Sequence, residues 1–138
     1  MSFDAIFNIS KLAMQYEMMR TQVASSNIAR ANIPLEKGQL TAQKTDAVDF
    51  DSLLQTIAMN EQSEVNFPSI NISSYGVKRV YEPDHLMADQ SGYVSYPDID
   101  VAKEFIVMTL SKRAYEANVR VFNNAGKMFN KTLEIGRT

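Results

Sequence analysis

Two long stretches without proline bracket a middle that holds all four of the chain's prolines. Residues 3–33 contain neither Gly nor Pro, and after Asp98 only Gly126 and Gly136 break the helix-favouring run; Pro34, Pro68, Pro83 and Pro97 lie between. Proline removes a backbone donor and bends the residue before it away from helix, so the chain must be built as helix, irregular segment, helix. The first helix is expected to stop at or just before Ile33.

Both end segments carry a helical period. In the first, Ile9, Leu12, Tyr16, Met19 and Val23 are spaced three and four apart, beside a second row through Ile6, Ala13, Ala24, Ile28 and Ala31. In the last, Val101, Phe105, Met108, Tyr115, Val119, Phe122, Phe129 and Leu133 keep the same spacing, with Lys112 and Gly126 in the remaining slots. Ile106, Leu110, Ala114, Ala117, Val121, Ala125 and Met128 form a parallel row of mostly smaller residues. Asp100 is placed to cap the start of this helix, since its carboxylate can accept from the free N–H groups of the first turn. Gly136 stands where a left-handed C-terminal cap would end it.

The middle, residues 34–98, differs in kind. Ile70, Ile72, Val77 and Val80 alternate with polar residues, "SGYVSYP" has the same character, and "DQSG" signals a turn, which together predict two to four short strands. "FDSLLQTIAMN", residues 50–60, is either a short helix capped by Asp51 or a strand.

A helix over the last segment is roughly 50 Å long at 1.5 Å per residue, whereas a compact domain of this size is roughly 30 Å across. The helix either breaks near Gly126 or projects alongside the one other element of comparable length, the N-terminal helix. The expected fold is therefore mainly α with a small β insert. Residues 1–33 and 99–138 form one discontinuous helical domain, paired as an antiparallel coiled coil, around a β-rich insert at 34–98. Two apolar rows on each helix are wider than the seam of a simple pair, so the second rows need copies or relatives of the same molecule. The residues expected at such an interface are Ile9, Leu12, Tyr16, Met19, Val23 and Asn27 on the first helix. On the second they are Phe105, Met108, Tyr115, Asn118, Val119, Phe122, Phe129 and Leu133. Asn27 and Asn32 could equally serve the end of the first helix.

Composition narrows the chemistry. The 138 residues carry a formal charge of −2 and no cysteine, which gives no electrostatic footprint for nucleic acid and no thiolate chemistry. The single histidine, His85, lies in "EPDHLMAD" near Asp84 and Asp89; one imidazole among loop carboxylates reads as solvated loop rather than a metal site. Asp46, Asp49 and Asp51 lack the glycine and terminal glutamate of a calcium loop. No serine-nucleophile elbow or phosphate-cradling glycine pattern is present, so the expectation is no catalysis, no cofactor and no small-molecule substrate. The start has no basic region before an apolar run, and no stretch is apolar enough to span a bilayer; neither a cleaved signal nor a transmembrane segment is expected.

Three stretches, "VASSNIARAN", "VYEPDHLMADQSGYVSYPDIDVAKE" and "SKRAYEANVRVFNNAGKMFNKTLEIG", together resemble the bacterial flagellar axial proteins over about half of the chain. The resemblance implies a structural subunit of the basal-body rod whose terminal helices polymerise into the inner tube. It also implies export through the flagellar type III channel without cleavage, assembly in the periplasm, and partners that are other copies and other rod proteins. Residues 33–36 read "IPLE" where many members have a Thr-Pro-Gly-Tyr turn. The alternative reading is a soluble coiled-coil adaptor or export chaperone that binds a client helix.

Overall fold

The computed structural model describes residues 3–36, 42–46 and 71–136. Helix α1 spans Phe3–Arg30 and helix α2 spans Val101–Ile135. Between them the described residues form four strands, β1 (Ala42–Asp46), β2 (Asn71–Tyr75), β3 (Val77–Tyr81) and β4 (Tyr93–Pro97). The ambiguous segment 50–60, with Asp49 and Asp51, falls outside the described residues.

The strands form two antiparallel pairs. β1 pairs with β2, Ala42 opposite Tyr75 and Asp46 opposite Asn71, and β3 pairs with β4, Val77 opposite Pro97 and Tyr81 opposite Tyr93. Only Gly76 separates β2 from β3, and its carbonyl accepts from the Asp98 N–H at 2.9 Å, extending the second ladder by one rung. β2, β3 and β4 lie where the alternation predicts them. β1, "AQKTD", has no apolar alternation to announce it.

Helix α1 closes through a turn in which the Ala31 N–H reaches the Asn27 carbonyl at 3.0 Å and the Ile33 N–H the Arg30 carbonyl at 3.0 Å. Helix α2 starts on Asp100, whose carboxylate accepts from the N–H groups of Ala102 at 3.0 Å and Lys103 at 3.2 Å. The far end departs from the expected left-handed cap. Gly136 has φ −74° and ψ −9°, and its N–H returns to the Thr132 carbonyl at 3.1 Å, so the last turn simply continues right-handed.

Two contacts fix how the helices lie. The Leu35 N–H donates to the Ser95 carbonyl at 2.8 Å, tying the chain just past α1 to the chain just before α2. At the other end the rings of Phe7 and Phe122 meet edge to face, 5.0 Å between centroids. The helices are therefore antiparallel and packed along their length, with β1 against α1. At 28 and 35 residues they measure about 42 and about 52 Å. Helix α2 does not break at Gly126; it runs on past the start of α1, and residues 127–136 are all exposed.

Candidate functional site

The line along which the helices meet is made of small and polar side chains. On α2 the buried residues are Glu104, Ser111 and Ala125, multiples of seven apart; Ser10 and Ala24 on α1 and Ala31 in the turn after it follow the same spacing. Half-buried Asn118 and Glu17 occupy the intervening slots. Glu17 is held to Arg20 at 3.2 Å, and that guanidinium lies 5.7 Å from the centre of the Tyr16 ring. The Ser111 hydroxyl is fully buried and finds no hydrogen-bond partner among the described residues.

This differs from the bulky row that periodicity singles out. Of those residues Phe105, Tyr115, Phe122, Phe129 and Leu133 remain exposed, while Met108 and Val119 are half-buried. The physical reason is clearance: small side chains occupy the line of closest approach of two helices, and large ones are pushed to its flanks. On α1, Ile9 is exposed, Tyr16 and Met19 are half-buried, and Leu12, Val23 and Asn27 are buried. Asn27 retains no exposed surface, so its side chain acts inside the subunit, whereas Asn32 is exposed.

The two helices are covered unequally. Among the described elements, helix α1 packs on both α2 and β1, whereas the main packing of α2 is on α1. One flank of α2 displays Ile106, Leu110, Val121, Met128 and Ile135, between 50 and 76 % exposed and spaced four, eleven, seven and seven residues apart. Scattered exposed apolar residues are ordinary, but a row of them over some 40 Å of one helix is a candidate interaction surface.

The second exposed feature is the loop joining β3 to β4. Asp89 anchors it: its carboxylate accepts from the N–H groups of Ser91 at 2.8 Å and Tyr93 at 3.0 Å and pairs with Arg79. The Tyr93 N–H bond foremost, with the Arg79 charge, holds Asp89 below the ordinary carboxylate pKa. Arg79 in turn lies 4.9 Å from the centre of the Tyr93 ring, which meets Tyr81 edge-on at 5.2 Å. The Tyr96 hydroxyl donates to Glu82 at 3.0 Å, and desolvation together with that carboxylate raises its pKa. His85 is used locally, its Nδ1 accepting from the Met87 N–H at 3.1 Å. Imidazole and Asp89 carboxylate are thus engaged in shaping the loop. Leu86, between them, is 93 % exposed. No helix among the described residues is long and apolar enough to cross a membrane.

Residues 90–135 match the family model described as the C-terminal part of flagellar basal body rod FlgEFG proteins. Over nearly its whole length the chain is similar to proteins named flagellar basal-body rod protein FlgC. The one from Salmonella typhimurium is 32% identical over 133 residues, covering 96% of each chain. That from Aquifex aeolicus is 30% identical over 137 residues, 94% of this chain and 96% of its own. That from Bacillus subtilis is 29% identical over 144 residues, 94% and 95%.

Proposed function

Because the chain belongs to the FlgC family of flagellar basal-body rod proteins, we propose that its paired terminal helices polymerise it into the rod through the exposed face of α2. It is a structural subunit of the flagellar basal body, in a family that is not a class of enzymes. Association with other rod components follows from that membership. The finer reading is that neighbours, whether copies or other rod proteins, bury what the subunit leaves wet. It includes passage through the flagellar export apparatus without cleavage and assembly in the periplasm.

One observation carries the interface reading: the apolar stripe Ile106, Leu110, Val121, Met128 and Ile135 stays half or more exposed along a flank of α2. Burying one such side chain is worth about 1.5–3 kcal/mol, so a few of them supply the drive for association that the polar seam does not. Of the residues expected at the interface, Ile9, Phe105, Tyr115, Phe129 and Leu133 are available to neighbours, while Leu12, Val23 and Asn27 support the subunit from within.

The test is Val121→Asp in a strain lacking its own copy of the gene. A carboxylate in the stripe should abolish swimming and remove rods from isolated basal bodies, while the purified variant keeps its helical circular dichroism. Normal swimming with this variant would rule out the α2 face as the assembly surface.

A further inference from the structure

We propose, resting on the rod reading above, that Leu86 at the tip of the β3–β4 loop seats on α2 of a second copy of this chain. The seat is the hollow over Ala114 and Ala117, with Asp84 paired to Arg113 or Arg120. Leu86 is 93 % exposed, the most of any large apolar residue described, yet it is presented by an ordered turn. The His85 N–H bonds the Glu82 carbonyl at 3.1 Å, the Ala88 N–H bonds the His85 carbonyl at 2.9 Å, and the imidazole accepts from Met87. A leucine held outward by that many bonds, with no cover of its own, is shaped as a knob.

The hole for it lies on α2. Leu110, Arg113, Ala114 and Ala117 stand in the i, i+3, i+4, i+7 relation that receives a side chain from a neighbour. The two alanines make its floor low, and Arg113 forms one rim. Arg113, Arg120 and Lys127 recur at seven-residue steps, about 10.5 Å apart, as a basic rail beside the apolar stripe. All three are exposed, and none makes an ion pair with a described residue.

Charge supplies the match. Residues 82–100 hold Glu82, Asp84, Asp89, Asp98 and Asp100 and no Lys or Arg, whereas residues 105–131 hold Lys112, Arg113, Arg120, Lys127 and Lys131 against Glu116 alone. Asp89 is spent on Arg79, Glu82 on Tyr96 and Asp100 on the helix start. Asp84, exposed and two residues before Leu86, keeps its carboxylate for a cation beyond the loop. Within one chain β4 of the hairpin packs against β1. A loop of one copy on a helix of the next is a head-to-tail contact, the kind that repeats along a polymer rather than closing a pair.

The chain has no cysteine, so the contact can be read site by site. Leu86→Cys and Ala117→Cys variants, co-expressed, should give a disulfide-linked dimer in isolated basal bodies under mild oxidation, and neither variant alone should. A disulfide demands Cβ atoms about 3.5–4.5 Å apart, which makes the readout local. Both variants present in basal bodies without that dimer, equal dimer from either alone, or Leu86→Cys linked to a different rod protein would each overturn the contact. Absence of even the unsubstituted chain from basal bodies would instead strike at the rod reading. Independently of cysteine, Asp84→Lys should slow swimming, and adding Arg113→Glu and Arg120→Glu should restore it; failure to restore also overturns the pairing.

Discussion

Gly92 is the position in the loop with least freedom to change. Its φ of +80° lies in the left-handed region, and a Cβ there would sit 2.9 Å from Tyr81 Cε2 and 3.3 Å from Pro83 Cβ. Gly92→Ala should therefore cost about 1–2 kcal/mol from the backbone alone, with the ring displacement added. The chain lacks tryptophan, so the edge-to-face pair Tyr81 and Tyr93 contributes to the tyrosine near-ultraviolet dichroism, which should weaken while the denaturation midpoint falls. Asp89 and Asp100 give the molecule an acid limit. Both titrate below the ordinary value of 3.8, Asp89 chiefly because Tyr93 N–H bonds its charged form and Asp100 chiefly because Lys103 N–H does. With a folded pKa depressed below the unfolded one, their contribution is complete above the unfolded value and is lost as pH falls through the folded value. Thermal midpoints should hold steady above about pH 5 and drop below about pH 4, and Asp89→Asn should flatten part of that drop.

At the level of elements, Ser111 tests what the seam is for. A buried hydroxyl without a partner costs about 1–3 kcal/mol of desolvation, and alanine preserves the clearance. Ser111→Ala should leave the denaturation midpoint unchanged or raise it, whereas Ser111→Leu should lower it by forcing the helices apart. The existence of both helices was legible because nothing interrupts their period between the prolines, and Asp100 could be read as a cap from its place alone. Which face met which partner was less legible. Phe122 and Phe129 dominate the pattern by size, but the line of approach is made of small and polar side chains, so the informative positions were Glu104, Ser111, Asn118 and Ala125. The cue was their seven-residue spacing, hidden because a carboxylate, a hydroxyl and an amide do not read as core. β1 was illegible for a different reason: its residues lack alternation, and it exists through its ladder with β2 and its place against α1. Leu86 was plain in the sequence, but its exposure is a tertiary fact.

The whole molecule is longer than its own support. Beyond Ala125 helix α2 has passed the start of α1, and every residue from 127 to 136 is exposed. Backbone amides there should exchange with solvent quickly in the isolated chain and slowly in assembled rods, while those near Ser111 stay protected in both; hydrogen exchange by mass spectrometry reads the contrast. Equal protection of the overhang before and after assembly would mean that neighbours leave it uncovered. Gly126 marks the border between the braced and unbraced parts of the helix, and nothing lies within 4 Å of where its Cβ would be. A glycine inside a helix weakens it by about 1 kcal/mol relative to alanine, so flexure concentrates there, where it strains no packed contact. The tail thus has a compliant wrist: it can tilt by different amounts against differently curved walls while the forearm above it keeps its shape.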